Sequence, residues 1–367
     1  MRKLVAIAAT AALALTVTAC GQNTAATSAA PAGTEGASSA PAAEKGTIGV
    51  AMPTKTSERW IKDGDYLKKT LEEAGYTVNL QYANDDIPTQ VTQVSDMVTK
   101  KNQVLVIAAI DGVALKGALA DAKENNIPVI AYDRLLRETD AVSYYTTFDN
   151  FKVGVQQGTS LLTGLEGSGT KAPWNVELFA GSADDNNAKF FFDGAMSVLQ
   201  PKIDDGTLTV VSGQTTFDKV VTQGWKAENA QKRMDTILSG SYEKTDLHGI
   251  LSPNDTLARA AMTAVDAAGK DLPVVTGQDS EVESVKSIMA GKQYSTIFKD
   301  TNKLVEHSIV MVNDLQAGKT PEVNDTESYN NGVKIVPAYL LAPVIVTKEN
   351  AAEVYANDAT LGPLTKA

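Results

Sequence analysis

The amino-acid sequence predicts an α/β protein with two successive lobes, each a doubly wound parallel sheet covered by helices. Three observations lead to this prediction. Short apolar strands alternate with amphipathic helices from residue 46 onward, at intervals of about 25–30 residues, which is typical of βαβ units. The alternation begins a second time near residue 176. The part of the chain that shows this pattern is roughly 320 residues long, which suits two domains better than one.

The first predicted lobe contains four strands that are apolar along nearly their whole length. Continuous apolar strands are expected where helices cover both faces of a sheet. The helix after the first strand has the three-four spacing of an amphipathic helix at Trp60, Leu67 and Leu71. The predicted strands are 46–52, 77–82, 104–107 and 129–132.

The second predicted lobe repeats the pattern with five strands and four helices. The strands are 176–180, 208–211, 249–251, 274–276 and 295–298, and the helices lie near 186–199, 222–239, 255–268 and 280–290. A late strand pair within 335–346 and a short helix at 348–356 complete the prediction.

The first twenty residues indicate export. Arg2 and Lys3 precede an apolar run of about thirteen residues, which is too short to span a membrane and is typical of a secretory signal. Cys20 is the only cysteine, and the Val-Thr-Ala sequence before it resembles a bacterial lipobox. We therefore predict a lipoprotein signal peptide over 1–20, lipidation of Cys20 and attachment to the outer face of the cell membrane. An ordinary secretory signal that contains a cysteine is the alternative.

The composition argues against several classes of protein. Residues 21–46 consist mostly of Ala, Ser, Thr, Gly and Pro, and are predicted to form a disordered tether. The formal net charge of -11 argues against nucleic-acid binding. Two histidines and one cysteine leave almost nothing for a zinc or copper site, so we predict neither a metal nor a cofactor.

Polar and aromatic side chains follow the predicted strands. In an open parallel sheet, ligands bind at the carboxyl ends of the strands, so these side chains form the candidate site. Carboxylates accept from pairs of hydroxyl groups, Arg and Lys donate, Asn does both, and a Trp ring packs on the C–H face of a sugar. This chemistry predicts a sugar site. The candidates are Arg59, Trp60, Asp133, Arg134, Asn187, Lys189, Trp225, Asn254, Asp279 and Lys299.

Several of these candidates also have a purely structural explanation. Asp133 could cap a turn, and Asn254 is a good N-cap for the helix that follows it. Trp60 and Trp225, at predicted helix starts, could belong to the core. The polar residues after every strand that faces the predicted cleft favour the site.

The motifs of enzymes on this kind of fold are missing from the sequence. Residues 51–54 follow the first strand and read Ala-Met-Pro-Thr, where a dinucleotide-binding protein has a Gly-rich loop. No phosphate-binding loop and no nucleophile elbow with a usable histidine is found, and His248 and His307 look structural. We therefore predict no catalytic residue and no enzymatic activity.

Seven motifs resemble those of a known family. Over about residues 47–360 the chain resembles the periplasmic-type sugar-binding proteins of ABC importers, in the xylose-binding and multiple-monosaccharide-binding branch. The motifs, in the order of the family, are IGVAMPTKTSERW, IPVIAYDRL, GSADDNNAKFFFDGAM, GWKAENA, ILSPNDTLARAAM, VTGQDSE and YSTIFKDT.

The resemblance implies a type I periplasmic binding protein fold, in which a three-strand hinge joins the lobes. The chain would cross between them near 147, 299 and 335. The N-terminal lobe would then comprise 47–147 plus 300–335, and the C-terminal lobe 148–299 plus 336–367.

The resemblance also implies a function and partners. The expected cargo is a monosaccharide of the xylose, glucose, galactose or fructose type, which a monomeric protein delivers to an ABC permease in the membrane. A receptor for another small polyhydroxylated signal or a polyol is the alternative. A transcription regulator with a similar core is disfavoured because a signal peptide occupies the place of its DNA-binding helices.

The matched motifs imply a role for each candidate. Asp133 and Arg134 form an acceptor–donor pair on ring hydroxyls, Asn254 and Asp279 are the amide and carboxylate of the second lobe, and Lys299 stands near the hinge where ribose binders usually have Gln. The remaining candidates are two aromatic positions that sandwich the sugar and three residues in regions that contribute contacts. These are Trp60 and Trp225, and Arg59, Asn187 and Lys189.

Overall fold

The computed structural model of the chain describes residues 45–366. The predicted signal peptide over 1–20, its lipidation site Cys20 and nearly all of the predicted tether over 21–46 lie outside the described residues. Within 45–366, no helix is long and apolar enough to cross a membrane.

Strands and helices alternate from the start of the described chain. The elements up to the middle of the sequence are β1 (Lys45–Met52), α1 (Glu58–Glu73), β2 (Tyr76–Tyr82), α2 (Ile87–Thr99), β3 (Val104–Ile107), α3 (Lys116–Glu124), β4 (Val129–Tyr132), β5 (Val142–Phe148) and α4 (Asn150–Gly167). Predicted strands and observed strands agree closely here, except that β5 was not predicted.

The alternation then resumes. The remaining elements are β6 (Trp174–Leu178), α5 (Asn186–Asp204), β7 (Leu208–Thr209), α6 (Phe217–Val220), α7 (Ala227–Gly240), β8 (Gly249–Leu251), α8 (Asp255–Ala267), β9 (Val274–Val275), α9 (Val282–Met289), β10 (Ser295–Phe298), α10 (Thr301–Gln316), β11 (Ala338–Leu341), β12 (Val344–Thr347) and α11 (Ala351–Val354), with single 3₁₀ turns at Gln223–Trp225 and Gly362–Lys366.

Acidic and amide residues begin several helices. The side chain of an Asp or Asn accepts a hydrogen bond from a backbone N–H in the first turn, which satisfies a donor that has no partner within the helix. The capping residues are Asp86 of α2, Asp149 of α4, Asp185 of α5, Asn254 of α8 and Asp300 of α10.

The first sheet has six parallel strands in the order β11-β5-β4-β3-β1-β2. Helices cover both faces, with Val94 of α2 and Leu119 of α3 in one core and Leu67 of α1 and Leu304 of α10 in the other. The order reverses between β1 and β3. In doubly wound sheets this reversal creates the crevice where ligands bind.

The second sheet follows the same winding rule. Four parallel strands are ordered β7-β6-β8-β9. Leu161 of α4 and Leu199 of α5 pack on one face, and Met234 of α7 and Leu257 of α8 pack on the other. A separate antiparallel pair joins β10 to β12.

Three crossings connect the two lobes, after β5, after β10 and between β11 and β12. The prediction of a late strand pair within 335–346 was wrong in its pairing, because Ala338–Leu341 joins β5 in the first sheet while Val344–Thr347 joins β10. The third crossing therefore lies at residues 342–343 and not near 335. We assign the first lobe to 45–148 plus 301–341 and the second lobe to 150–298 plus 344–366.

Close contact between α4 and α5 depends on glycine. A Cβ atom at Gly154 would overlap the carbonyl oxygen of Phe191, and one at Gly194 would overlap the carbonyl oxygen of Phe151. Gly158 faces the backbone of α5 in the same way. The two helix backbones can approach this closely only because these positions lack side chains.

We expect Gly154→Ala to lower the free energy of unfolding by about 1–3 kcal/mol or more, because the methyl group meets backbone that cannot move independently. Gly167→Ala is the matched control, since a Cβ there, in the same helix, meets nothing within 4 Å. Urea unfolding of both variants measures the difference. Equal stability of the two variants would contradict this packing argument.

Candidate functional site

A cavity of about 310 Å³ lies between the lobes and is lined by residues that follow strands of both sheets. This volume is at the lower end of the range of about 300–1,000 Å³ for ligand pockets, which suits a small ligand. Nine of the ten candidate residues line the cavity, namely Arg59, Trp60, Asp133, Arg134, Asn187, Trp225, Asn254, Asp279 and Lys299.

Lys189 is the candidate that the structure places elsewhere. Its side chain is 59% exposed and its Nζ lies 2.7 Å from Oδ2 of Asp193, one turn further along α5. Asn187 of the same helix lines the cavity. Two residues along an α-helix correspond to a rotation of about 200°, so Lys189 faces away from the site that Asn187 faces.

Arg59 is buried in the first turn of α1 and contacts carboxylates of both lobes. Its Nη2 lies 2.5 Å from Oδ2 of Asp133, and its Nε lies 3.3 Å from Oδ2 of Asp63. Its Nη1 lies 3.8 Å from Oδ1 of Asp279 in the second lobe. A single guanidinium group therefore spans the cleft.

The surrounding charges keep Arg59 and Asp133 ionised. Burial by itself lowers the pKa of Arg59, but the attraction of Asp133, Asp63 and Asp279 outweighs it and raises that pKa well above its ordinary value. Burial likewise opposes ionisation of Asp133, but Arg59 and Lys299 lower the pKa of this carboxyl below its ordinary value.

The backbone at the two central carboxylates has an uncommon conformation. The φ angle is 62° at Asp133, 92° at Asp279 and 51° at the adjacent Ser280, a region that residues with a side chain rarely adopt. Hydrogen bonds hold it in place: Asp133 N donates to Thr146 O at 2.8 Å, and Asp279 N donates to Ile297 O at 2.9 Å. Such strain persists where the surrounding structure determines it strongly, and it is common at ligand sites.

A second ion pair crosses the cleft beside the first. Arg134, which follows β4, places its Nε 3.1 Å from Oδ2 of Asp185, the N-cap of α5. The Nη1 of Arg134 also donates to the backbone oxygen of Ala109 at 3.1 Å. Burial raises the pKa of Asp185 above its ordinary value, and the neighbouring Arg134 opposes this only in part.

The amide of Asn187 is engaged at both ends. Its Nδ2 donates to the backbone oxygen of Asp133 at 2.8 Å, and its Oδ1 accepts from Tyr145 Oη at 3.1 Å and from Asn150 Nδ2 at 3.0 Å. Asn187 belongs to α5 of the second lobe, whereas Asp133 and Tyr145 belong to the first. These hydrogen bonds therefore join the two lobes at a residue that lines the cavity.

Asn254 and Lys299 line the cavity, and each also bonds to another group of the protein. Asn254 Oδ1 accepts from Leu257 N at 2.9 Å, so the N-cap explanation is correct for this oxygen although the residue also lines the cavity. Lys299 is 5% exposed, and its Nζ lies 2.8 Å from Oδ1 of Asp279.

The two tryptophans have different surroundings. Trp60 is 6% exposed, and the guanidinium carbons of Arg59 and Arg134 lie 4.6 and 5.2 Å from its ring centroid. Trp225 lies in the 3₁₀ turn before α7 and packs against Phe191 of α5. The predicted helix over 222–239 begins later than expected because Gly224 and Trp225 both have positive φ angles, of 65° and 55°.

Asp63 contacts Arg59 of the candidate site from the core side, and the sequence analysis did not identify it. It is 1% exposed, four residues after Arg59 on α1, and also accepts a hydrogen bond from Tyr132 Oη at 2.9 Å. Burial raises the pKa of Asp63 above its ordinary value, while Arg59 opposes this. A carboxylate on the core side of an amphipathic helix, four residues from an Arg, is the signal that could have revealed it.

Comparison with known proteins identifies a family that has this two-lobed fold. Residues 48–320 match a family described as the periplasmic binding protein domain. The chain belongs to the periplasmic binding protein family. The predicted fold and the predicted family resemblance are thereby confirmed.

The alignments with two relatives of this periplasmic binding protein cover most of both chains. The chain is 56% identical over 314 residues to the multiple sugar-binding periplasmic receptor ChvE of Rhizobium radiobacter. This alignment covers 84% of this chain and 89% of the relative. It is 35% identical over 312 residues to the D-xylose-binding periplasmic protein of Escherichia coli, in an alignment that covers 85% of this chain and 89% of that protein.

A solved structure gives the same result. The solute-binding protein of an ABC transporter from Clostridium phytofermentans, crystallised with bound β-D-glucose, superimposes with a TM-score of 0.82 at 46% identity. The match covers 86% of this chain and 98% of that chain.

We expect Asp133→Asn to lower the free energy of unfolding at neutral pH by about 3–5 kcal/mol, because it leaves the buried Arg59 without its nearest counter-charge. The folded-state pKa of Asp133 is depressed, so its stabilisation is present above the unfolded value of about 3.9 and is lost as the pH falls through the folded value. The difference between wild type and variant should therefore shrink below about pH 4.

Denaturant unfolding from pH 7 to pH 3 measures this difference. Asp193→Asn is the control, because Asp193 forms an exposed pair with Lys189, and such pairs contribute at most about 1 kcal/mol. A constant difference over the whole range, or no difference at pH 7, would show that the Arg59–Asp133 pair does not stabilise the fold.

Proposed function

We propose that this chain is the solute-binding protein of an ABC importer, which captures a neutral monosaccharide between its lobes and delivers it to a membrane permease. One observation carries the proposal. Hydrogen-bonding side chains from both lobes line a single cavity of about 310 Å³. A ligand that bonds to both lobes at once favours the closed arrangement, which is how periplasmic binding proteins hold their cargo.

The charge balance of the cavity supports a neutral ligand. The three largely buried cations are each within ion-pair distance of a carboxylate: Arg59 with Asp133, Arg134 with Asp185, and Lys299 with Asp279. A ligand carboxylate or phosphate would have to compete with these aspartates. Hydroxyl groups can accept from a cation and donate to its carboxylate without disturbing either charge.

The individual roles follow from this pairing. Asp133 with Arg59, and Asp279 with Lys299, are acceptor–donor pairs that can each engage adjacent hydroxyl groups of a ring. Arg134 and Asn254 contribute further donors. Trp225 and Trp60 contribute aromatic surface for the C–H groups, which hydrogen-bonding residues cannot cover.

The relatives support both the cargo and the absence of catalysis. The proteins named above are described as multiple sugar-binding, as D-xylose-binding and as holding β-D-glucose. All three are binding proteins, and two are described as periplasmic. We propose in addition that Cys20 is lipidated, that the protein stays at the outer face of the cell membrane through this anchor, and that it acts as a monomer.

A thermal-shift screen of the purified protein tests the proposal. The panel contains xylose, arabinose, ribose, glucose, galactose and fructose, with polyols and disaccharides for comparison. A ligand of the folded state stabilises it by about 2.7 kcal/mol at a hundredfold excess over its Kd, so a true cargo gives a clear rise in Tm. A response to polyols alone would favour the alternative receptor function, and silence across the panel would overturn the proposal.

We expect Lys299→Met to weaken binding of the best monosaccharide by tenfold or more, because it removes a buried charged donor and releases Asp279 from its partner. Lys189→Met is the matched control: it was an equal candidate from sequence, but its side chain is 59% exposed and lies outside the cavity. Isothermal titration calorimetry of both variants measures the contrast. If both bind as the wild type does, the position of Lys299 is irrelevant to the cargo.

A further inference from the structure

Gly181 lies directly beneath the ring of Trp225. A Cβ atom added at Gly181 would overlap Cη2 and Cζ2 of that indole and would lie 2.6 Å from its Cε2. The ring therefore rests on bare backbone, in the loop that follows β6. No other type of residue leaves this space.

The backbone around Trp225 is tied to the same loop. Gly224 N donates to Ser182 Oγ at 2.7 Å, and Thr222 N donates to Ala180 O at 2.9 Å. Ser182 is fully buried. Because these bonds join residues 180–182 to residues 221–225, the ring and the glycine beneath it form one unit.

The indole ring of Trp225 can move in few directions. Trp225 packs against a small cluster formed by Val153, Phe191 and Ile297, and it also lines the cavity between the lobes. With the cluster and Gly181 occupied, the cavity is the open side. A group that pushes the ring away from Gly181 therefore narrows the space for the ligand.

We propose that Gly181 is a specificity-determining residue, which sets the size of the accepted monosaccharide by letting the ring of Trp225 withdraw from the cavity. The inference rests on the proposed sugar-binding function. It adds that the cavity admits hexoses as well as pentoses because residue 181 has no side chain. Gly181 itself does not contact the sugar, so it acts by positioning Trp225.

Contact distances give the size of the expected displacement of the Trp225 ring. Ordinary contact between carbon atoms requires about 3.5–4.0 Å, and a methyl group at residue 181 would overlap the ring. The ring must then move by more than an ångström into a cavity of only about 310 Å³. The hydroxymethyl group of a hexopyranose should lose its space before the ring of a pentopyranose does, and discrimination by one such group reaches about tenfold or more.

Titration calorimetry with two sugar pairs tests the inference on the full chain. D-xylose and D-glucose share their ring hydroxyl arrangement and differ by one hydroxymethyl group, as do L-arabinose and D-galactose. We expect Gly181→Ala to raise the ratio of hexose Kd to pentose Kd by about tenfold or more in the pair that the wild type binds. Gly240→Ala, where a Cβ meets nothing within 4 Å, should leave the ratio unchanged.

A second variant keeps the test valid if Gly181→Ala does not fold. Trp225→Phe replaces the indole by a smaller ring, so it should lower the hexose-to-pentose Kd ratio. In the double variant the smaller ring should also accommodate the methyl group, so the ratio should fall below that of Gly181→Ala alone. This rescue would not occur if the methyl group merely destabilised the fold.

The outcomes separate the inference from the function on which it rests. If the wild type binds none of the four sugars, the proposed function fails and the inference fails with it. If the wild type binds but Gly181→Ala weakens both members of a pair equally, or Trp225→Phe leaves the ratio unchanged, sugar binding stands and the role of Gly181 is overturned.

Discussion

The buried guanidinium group of Arg59 is the constraint on which the rest of the site depends. A charge removed from water is costly unless opposite charges and hydrogen bonds surround it. Here Asp63 and Asp133 supply that compensation from the first lobe and Asp279 supplies it from the second. The same arrangement joins the lobes and sets the charge of the cavity. Since Lys299 and Arg134 are likewise paired, the cavity presents many donors and acceptors but little unbalanced charge. This is the chemistry that a neutral polyhydroxylated ligand requires.

The two sheets present these side chains in a strained but well-supported backbone. Asp133 and Asp279 both have positive φ angles, and both lie just beyond the carboxyl end of a strand. The carbonyl oxygen of Asp133 accepts from Tyr145, Thr147 and Asn187, so the turn is held from both lobes. Preorganisation of this kind reduces the ordering that binding would otherwise require. At Gly181 the missing side chain leaves the space that the ring of Trp225 occupies.

The sequence predicted β1, β3 and β4 of the first sheet well because they are continuous apolar runs. Nine of the ten candidate residues line one cavity, because residues that follow the strands of a parallel sheet converge at its carboxyl edge. It missed β5, because Thr146 and Thr147 are polar residues that are fully buried, so the strand lacks a continuous apolar pattern. It misassigned the pairing of β11 and β12 because adjacent strands usually pair with each other, a tendency that a hinge violates. It included Lys189 because the sequence motif does not show that this residue and Asn187 point in nearly opposite directions from α5.

We propose that the cavity selects a neutral sugar because its largely buried cations are already paired with aspartates. Titration calorimetry of the wild-type protein with D-glucose and D-glucuronate, and with D-galactose and D-galacturonate, isolates this property, since each pair differs only in whether carbon 6 is a hydroxymethyl group or a carboxylate. We expect the neutral member of a pair to bind and its acid to bind at least about tenfold more weakly, a difference of about 1.4 kcal/mol. Equal or tighter binding of the acids would show that a cation in the cavity is available to the ligand, and that the ion pairs do not select a neutral sugar.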